Sequence, residues 1–463
     1  MDETGGAGVM EYRVIPPFSY GDISVSRLIA CICSSGVMVL CPETGTTLAL
    51  SADCAEELQG QTLSEDLAFL LIQRGMAQHP HSRPISSFSE EIQPAFFLID
   101  LTKDCNLCCT YCFRTPEERK KWITPEALDR ICRGLISYAR KHPERKLSIQ
   151  AWGGEPLLEL ESIVRLRQRF READLSPEIV IETNGALISA ETASVLFENQ
   201  IQVGISIDGI GSVHNAQRPT RGGGPSLQMV ERGIEHLRSA GYRHFGTITV
   251  VTRNTLRHLP EIMDYFAHTL QLPTVKLNLM RRNEYNRDLA ISLEEIPQYV
   301  DTLLRCMRGF YQEGLSIVEQ NIAQRIANLL FRPNNNICNA HGCHGGYRML
   351  SIDTEGGVYP CELSDYADYC LGQVCRGDLE EMVHTAIAEG HEYFQQRDTS
   401  ACADCPWWYY CRGGCRSAAK YDTGSPLGID QTECRFNREL YPRLVELLLA
   451  EPSFGQYLLN GAV

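Results

Sequence analysis

The chain has 463 residues, 43 % of them hydrophobic, enough to bury two or three cores. Its 43 basic against 58 acidic side chains leave a net charge of −15, which repels polyanions and argues against nucleic acid and anionic membranes as partners. No run of about 18 apolar residues exists to span a bilayer, and the start, Met-Asp-Glu-Thr-Gly-Gly, lacks the basic and apolar regions of a signal peptide, so a cytoplasmic protein is expected.

From Tyr12 to about Gln78, apolar runs at 27–33 and 37–41 flank the turn residues Ser34-Ser35-Gly36, and Pro42-Glu43-Thr44-Gly45 leads into a third run at 46–50. The pattern predicts a β-meander. Leu63, Leu67, Leu70 and Leu71 then recur at helical spacing, and a Pro- and Ser-rich stretch from His79 to Ser89 predicts a linker. Residues 1–90 are thus expected to form a small α+β domain.

From Pro94 to Gly314 strand-like and helix-like segments alternate, the signature of βα units around a parallel sheet. Strands are expected at 96–101, 147–152, 178–182, 202–207, 245–251 and 274–279. The first helix has Thr124 to cap it, Pro125 for its first turn, and one apolar face of Leu128, Ile131, Cys132, Leu135 and Ile136. Six such units over 91–314 can close into a partial barrel, where ligands collect at the ends of the strands. Beyond it, a helix predicted at 318–331 leads into a segment, within 315–463, that holds ten of the twenty cysteines. Without an export signal, these thiols point to metal ligation or redox chemistry rather than disulfides.

The spacing of the cysteines narrows this further. Directly after the first strand stands Cys105-Asn-Leu-Cys-Cys109-Thr-Tyr-Cys112. Three thiolates on one tight loop can grip three irons of a 4Fe-4S cube and leave the fourth iron open; a zinc loop or buried thiols are the alternatives. Trp152-Gly153-Gly154-Glu155-Pro156 follows the second strand, Glu182-Thr183-Asn184-Gly185 the third, and Ser206-Ile207-Asp208-Gly209 with Arg218 the fourth. In the C-terminal segment Cys338 and Cys343 precede Gly356 and Cys361, then comes Cys402-Ala-Asp-Cys405-Pro-Trp-Trp-Tyr-Tyr-Cys411-Arg-Gly-Gly-Cys415, and finally Cys434. Cys370 and Cys375 belong to neither series, and Cys31, Cys33, Cys41, Cys54, Cys132 and Cys306 are expected to pack as small hydrophobes.

The motifs at the strand ends resemble those of the radical S-adenosylmethionine (SAM) superfamily, and the C-terminal series resembles the SPASM extension carried by its peptide- and protein-modifying members. The resemblance implies an α/β fold: a partial (β/α)6 TIM-like barrel followed by a cysteine-rich SPASM domain. It implies SAM chelated at the open iron of a cluster on Cys105, Cys109 and Cys112. SAM contacts would come from Tyr111, Gly153, Gly154, Glu155, Asn184, Ser206 and Arg218, with the Gly-Gly-Glu acid neutralising the SAM amino group and an Arg suited to its carboxylate. Two auxiliary 4Fe-4S clusters would sit on Cys338, Cys343, Cys361 and Cys415, and on Cys402, Cys405, Cys411 and Cys434. Glu362 stands where sulfatase-maturing relatives carry an Asp proposed as the base.

Residues 1–90 resemble, in pattern and length, the winged-helix-like leader-recognition element of ribosomal peptide maturases, which binds a leader peptide as an added strand. The resemblance therefore implies a radical SAM enzyme that installs a thioether or carbon-carbon crosslink in a precursor peptide. It would be fed electrons by a flavodoxin- or ferredoxin-type donor. Oxidation of a protein Ser or Cys to formylglycine is the alternative reaction, and an iron-sulfur electron-transfer or redox-sensing protein the alternative class.

Overall fold

The computed structural model describes residues 10–78, 92–114, 121–282, 286–331, 338, 342–362 and 367–460. The expected linker at 79–89 lies outside the described residues.

The sheet that contains the predicted meander holds one more strand than expected, and a second sheet accompanies it. β1 (Glu11–Ile15) pairs antiparallel with β4 (Leu28–Cys33), which continues through β5 (Gly36–Cys41) to β6 (Thr46–Leu50). A second, three-stranded sheet is made by β2 (Phe18–Tyr20), β3 (Ile23–Val25) and β7 (Ala77–Gln78). Helices α1 (Ala52–Gln59) and α2 (Glu65–Gln73), capped by the Ser51 and Ser64 hydroxyls, close over a separate core of Leu28, Val39, Leu58, Leu67 and Leu71. β1 was missed because four of its five residues are exposed, which leaves no buried face to pattern.

The central domain follows the predicted βα order. Its strands are β8 (Phe96–Thr102), β9 (Ser148–Gly153), β10 (Glu178–Thr183), β11 (Ile201–Ser206), β12 (Gly246–Val251) and β13 (Thr274–Leu279). Between them lie α3 (Pro125–Lys141), α4 (Leu160–Glu172), α5 (Ala190–Glu198), α6 (Gly211–Gln217), α7 (Leu227–Ala240), α8 (Arg253–Arg257) and α9 (Leu259–Asp264). The Thr124 hydroxyl caps α3 by accepting from the Ala127 N–H, and Leu128, Ile131, Cys132 and Leu135 are buried as the pattern requires.

The sheet does not end with these six strands. After α10 (Ile296–Glu313), two residues expected to be helical form β14 (Val318–Glu319) and pair parallel with β13, ahead of α11 (Gln320–Leu330). The buried Glu319 explains the change: its carboxylate accepts from the Leu277 and Ile322 N–H groups and from Asn321 Nδ2. At the other edge β15 (Met349–Ile352) pairs parallel with β8, and β16 (Gly357–Tyr359) and β17 (Gly372–Gln373) extend the sheet antiparallel. A single ten-stranded sheet results, in the order β14-β13-β12-β11-β10-β9-β8-β15-β16-β17. All four residues of β15 are buried, so the apolar edge of β8 is covered by a strand from the cysteine-rich segment.

The C-terminal segment adds α12 (Leu379–Ala388), α13 (Trp408–Cys411), α14 (Arg416–Thr423), α15 (Gln431–Ala450) and α16 (Pro452–Leu459), and its apolar side chains join the barrel core. Among the described residues no helix is long and apolar enough to cross a membrane.

Candidate active site

A cavity of about 1070 Å³ opens at the C-terminal ends of β8 to β13. On one wall lie Cys105, Cys109 and Cys112, in the loop that follows β8. This loop has no regular structure of its own; it is fixed by pairing with the chain after α6. The Cys108 N–H donates to Pro219 O (2.8 Å), the Thr110 N–H to Gln217 O (2.9 Å) and the Arg221 N–H to Asn106 O (3.2 Å). Pairing of this kind carries Arg218 to the cysteines.

Arg218 is buried beside Asp208, a carboxylate of the fourth strand-end motif to which spacing assigns no role. Arg218 Nε lies 3.0 Å from Asp208 Oδ2, with the two side chains 7 % and 0 % exposed, and the guanidinium sits over the Tyr111 ring at 5.4 Å. Asp208 also accepts from the Tyr111 hydroxyl (2.6 Å), Gln217 Nε2 (2.9 Å) and the Val250 N–H (3.1 Å). Burial alone would raise the Asp208 carboxyl, but Arg218, His214 and the Tyr111 hydroxyl together hold it below its usual value. The predicted SAM contacts Tyr111 and Arg218 are thus locked to each other through Asp208.

His214 supports the same network. Its Nδ1 accepts from the Asp208 N–H (3.1 Å) and its Nε2 meets Ser226 Oγ (3.1 Å). Burial lowers its pKa from 6.5 to about 4 against the pull of Asp208. The unfolded chain therefore binds a proton that the folded one refuses, and stability present above pH 6.5 is lost as pH falls toward 4. Each unit in that window costs about 1.4 kcal/mol. Urea unfolding of wild type and His214→Gln at pH 7.5 and 5.5 should show the acid penalty smaller in the variant by about 1 kcal/mol; equal penalties would refute this.

The Gly-Gly-Glu motif makes contacts within the chain as well. Glu155 is fully buried, and its carboxylate already accepts from the Leu157 N–H (3.0 Å), the Thr183 hydroxyl (2.6 Å) and the Asn184 N–H (2.8 Å). It ties the end of β9 to the end of β10 and so orients Asn184, whose Nδ2 donates to Asn106 Oδ1 (2.7 Å) and reaches Cys105 Sγ (3.6 Å). Gly153 and Gly154 line the cavity, and they also permit contact with the cluster loop. A Cβ on Gly153 would stand 2.0 Å from Thr102 O, and one on Gly154 2.2 Å from Asp104 O. Ser206 lines the same cavity at the end of β11.

A second stretch of wall comes from the cysteine-rich segment, which contributes Cys338, Cys415 and Glu362. Cys361 Sγ donates to Glu362 Oε2 at 3.1 Å, and Cys343 Sγ lies 3.4 Å from the Tyr393 hydroxyl. Burial, then the fields of Cys343, Cys361 and Cys415, raise the Tyr393 phenol. Cys402, Cys405 and Cys434 form a second neighbourhood: burial first, then each other's fields, push Cys402 and Cys434 up. Cys411 adjoins Cys434, and burial pushes its thiol up to about 12. Asp430 joins the two groups, capping α15 at the Glu433 N–H (3.0 Å) and accepting from the Cys415 N–H (3.3 Å). Among the described residues no three Cys, His, Asp or Glu side chains close to the spacing of a single metal ion. Cys31, Cys41 and Cys132 are buried, Cys33, Cys54 and Cys306 half-buried, and Cys370 and Cys375 exposed.

The cavity is also lined by Glu182, the first residue of the third strand-end motif, and by Gln150 and Lys276, to which the sequence assigns no role. Burial and the nearby Glu362 raise the Glu182 carboxyl, opposed by Lys276 and Gln150. Spacing could not bring Lys276 to Glu182, since they come from β13 and β10, nearly a hundred positions apart. The donor set suits SAM and iron-sulfur clusters. Thiols stand on both stretches of wall, Arg218 adjoins the first set, and the Trp152 indole N–H at the cavity is buried with no acceptor among the described residues.

Comparison with known proteins agrees with this layout. The profile of the Radical SAM superfamily matches residues 99–266, and that of SPASM, an iron-sulfur cluster-binding domain, matches 343–406. The cysteine-type anaerobic sulfatase-maturating enzyme of Clostridium perfringens (strain 13) is 25 % identical over 366 residues, covering 74 % of this chain and 95 % of the relative. Mycofactocin maturase MftC of Mycolicibacterium smegmatis is 27 % identical over 378 residues, 77 % of this chain and 86 % of the relative. Among solved structures, anSMEcpe with bound AdoMet and Cp18Cys peptide superposes with a TM-score of 0.64 at 23 % identity, over 76 % of this chain and 99 % of that one. Streptococcus suis SuiB bound to precursor peptide SuiA gives 0.54 at 16 % identity, over 90 % and 99 %.

Proposed function

We propose that this radical SAM enzyme, in which a SPASM iron-sulfur domain follows the α/β barrel, matures a ribosomally made precursor peptide by installing a thioether or carbon-carbon crosslink. One observation carries the reading: a single cavity is lined both by Cys105, Cys109 and Cys112 and by Cys338, Cys415 and Glu362. A peptide side chain held in it would meet both a radical source and an electron acceptor. When bound, SAM and its cluster supply the 5′-deoxyadenosyl radical that removes hydrogen from carbon.

The chain's own residues bind and orient. Arg218, neutralised by Asp208 and stacked on Tyr111, would receive the SAM carboxylate, with Asn184 and Ser206 beside it. Cys338, Cys343, Cys361 and Cys415 would hold one auxiliary cluster, and Cys402, Cys405, Cys411 and Cys434 the other, for three clusters in all. Glu362, on the second stretch of wall, would accept the proton that leaves the substrate. A flavodoxin- or ferredoxin-type protein would supply electrons, and ligand-like thiols in these numbers suit a reducing cytoplasm.

The front domain favours a leader-guided substrate. It rests on the cysteine-rich segment through the Tyr410 hydroxyl on Gly45 O (3.3 Å) and through Tyr12 edge-on to Trp407 (6.1 Å). About a quarter of this chain lies outside the match to the Clostridium enzyme, whereas the SuiB likeness leaves out only a tenth, less than the front domain's length. Strand addition at β1, an edge strand among the described residues, would give a leader main-chain hydrogen bonds, and the exposed Tyr12 and Val14 would give it side-chain contacts. At the far edge the Thr47 hydroxyl of β6 donates to Leu329 O at 2.5 Å, so α11 already adjoins that strand.

The second reading, oxidation of a protein Ser or Cys to formylglycine, draws on the sulfatase-maturating relative. Co-expression with a small peptide encoded beside the gene, followed by mass spectrometry, separates the two. Loss of two hydrogens with a new intrapeptide link is expected. An unmodified peptide, together with conversion of a sulfatase-derived Cys peptide, would replace the first reading with the second. No 5′-deoxyadenosine from protein, SAM and dithionite would end both.

A further inference from the structure

Arg281 follows β13 and lines the same cavity as Cys338, Cys415 and Glu362. Its Nη1 lies 3.9 Å from Glu362 Oε1, and 43 % of its side chain faces open space. Glu362 in turn receives the Cys361 thiol at 3.1 Å. The neighbouring Arg282 is committed elsewhere: its guanidinium pairs with Asp422 at 2.9 Å and donates to Thr432 Oγ1 at 3.1 Å. Of these adjacent arginines, Arg281 is the one whose charge is directed at the thiols. The fields of Cys415, Cys338, Glu362 and Cys361 reach it together, while Arg281 itself opposes the upward push of burial on Cys415.

We propose that Arg281 is a positioning residue for electron acceptance: its guanidinium, paired with Glu362 and facing Cys338 and Cys415, raises the reduction potential of the auxiliary cluster that this wall would hold. The inference rests on the proposed ligation of that cluster. Its physics is Coulombic. Reduction adds one negative charge to the cluster, and a fixed positive charge lining the same cavity stabilises the reduced form. Glu362 acts with the opposite sign on the same cluster.

The test needs no substrate. Anaerobically reconstituted holoenzyme carrying Cys105→Ala, Cys109→Ala and Cys112→Ala, which removes the SAM-cluster signal, is titrated with dithionite and followed by electron paramagnetic resonance. Adding Arg281→Gln should move one auxiliary signal to a more negative potential by about a tenfold change in equilibrium, or ~59 mV for one electron. Arg281→Lys should restore most of the shift, and Glu362→Gln should move the same signal the other way. Unchanged potentials in both Gln variants, with iron content intact, would overturn the proposal. If Arg281→Gln fails to hold iron, Arg281→Met, which keeps the length without the charge, decides by the same shift. A parent protein without auxiliary signals would instead remove the ligand assignment beneath it.

Discussion

Asp208→Ala should destabilise the protein by about 3–5 kcal/mol, the cost of leaving a buried charge without its partner. Asp208 is fully buried, and it is the one carboxylate that receives Arg218, Tyr111, Gln217 and the Val250 N–H together. Removing it leaves a guanidinium and a phenol without their acceptor and unties α6 from β12. The measurement is urea unfolding at pH 7.5, where Asp208 is ionised and His214 neutral, so neither titration contributes. Calorimetry with SAM should show binding lost as well, because Tyr111 and Arg218 lose their common anchor. Asp208→Asn, which keeps the shape and one acceptor, should fall between. Wild-type stability in Asp208→Ala would show that the network contributes nothing to the fold.

Gly154→Ala should cost the protein one cluster and all 5′-deoxyadenosine formation. The added Cβ would lie 2.2 Å from Asp104 O and 2.7 Å from Lys103 O. Both are backbone atoms at the start of the cluster loop, so no side chain can rotate to make room. The loop must move, and with it Cys105, whose N–H is held by Asp104 Oδ1 at 2.9 Å. Iron analysis after anaerobic reconstitution should find the auxiliary clusters retained and the loop cluster absent. Gly309→Ala is the control. Its Cβ would meet nothing within 4 Å and it lies inside α10, so replacement should stabilise the protein by about 1 kcal/mol. A full complement of iron in Gly154→Ala would show that the loop tolerates displacement.

The two C-terminal cysteine groups show how far spacing reaches. Along the chain they interleave: Cys361 comes before Cys402, and Cys415 lies between Cys411 and Cys434. Spacing marks the series as ligands but cannot sort it. Likeness to SPASM proteins implies the sorting, and the proposed function rests on it. The fields of Cys343, Cys361 and Cys415 reach Tyr393, while Cys434 enters on the first turn of α15 beside Cys402 and Cys405. β1 and β14 went unseen or were misassigned for a related reason. The first has no buried face, and the second is held in a strand by hydrogen bonds to Glu319, against a helical pattern.

By itself the sequence determined the features that repeat locally: the strand and helix order of the barrel, the capped start of α3, and the cysteine loop with the motifs at successive strand ends. These are legible because helix and strand periods, caps and ligand spacings are short-range constraints. Only the tertiary structure decided that Glu155 ties two strands together, that Asp208 gathers Arg218, Tyr111 and Gln217, and that Glu182, Lys276, Glu362 and Arg281 share one cavity. Those roles depend on which distant residues a buried charge meets. A charge out of water is stable only beside partners that the folded chain brings to it, and sequence separation carries no record of that meeting.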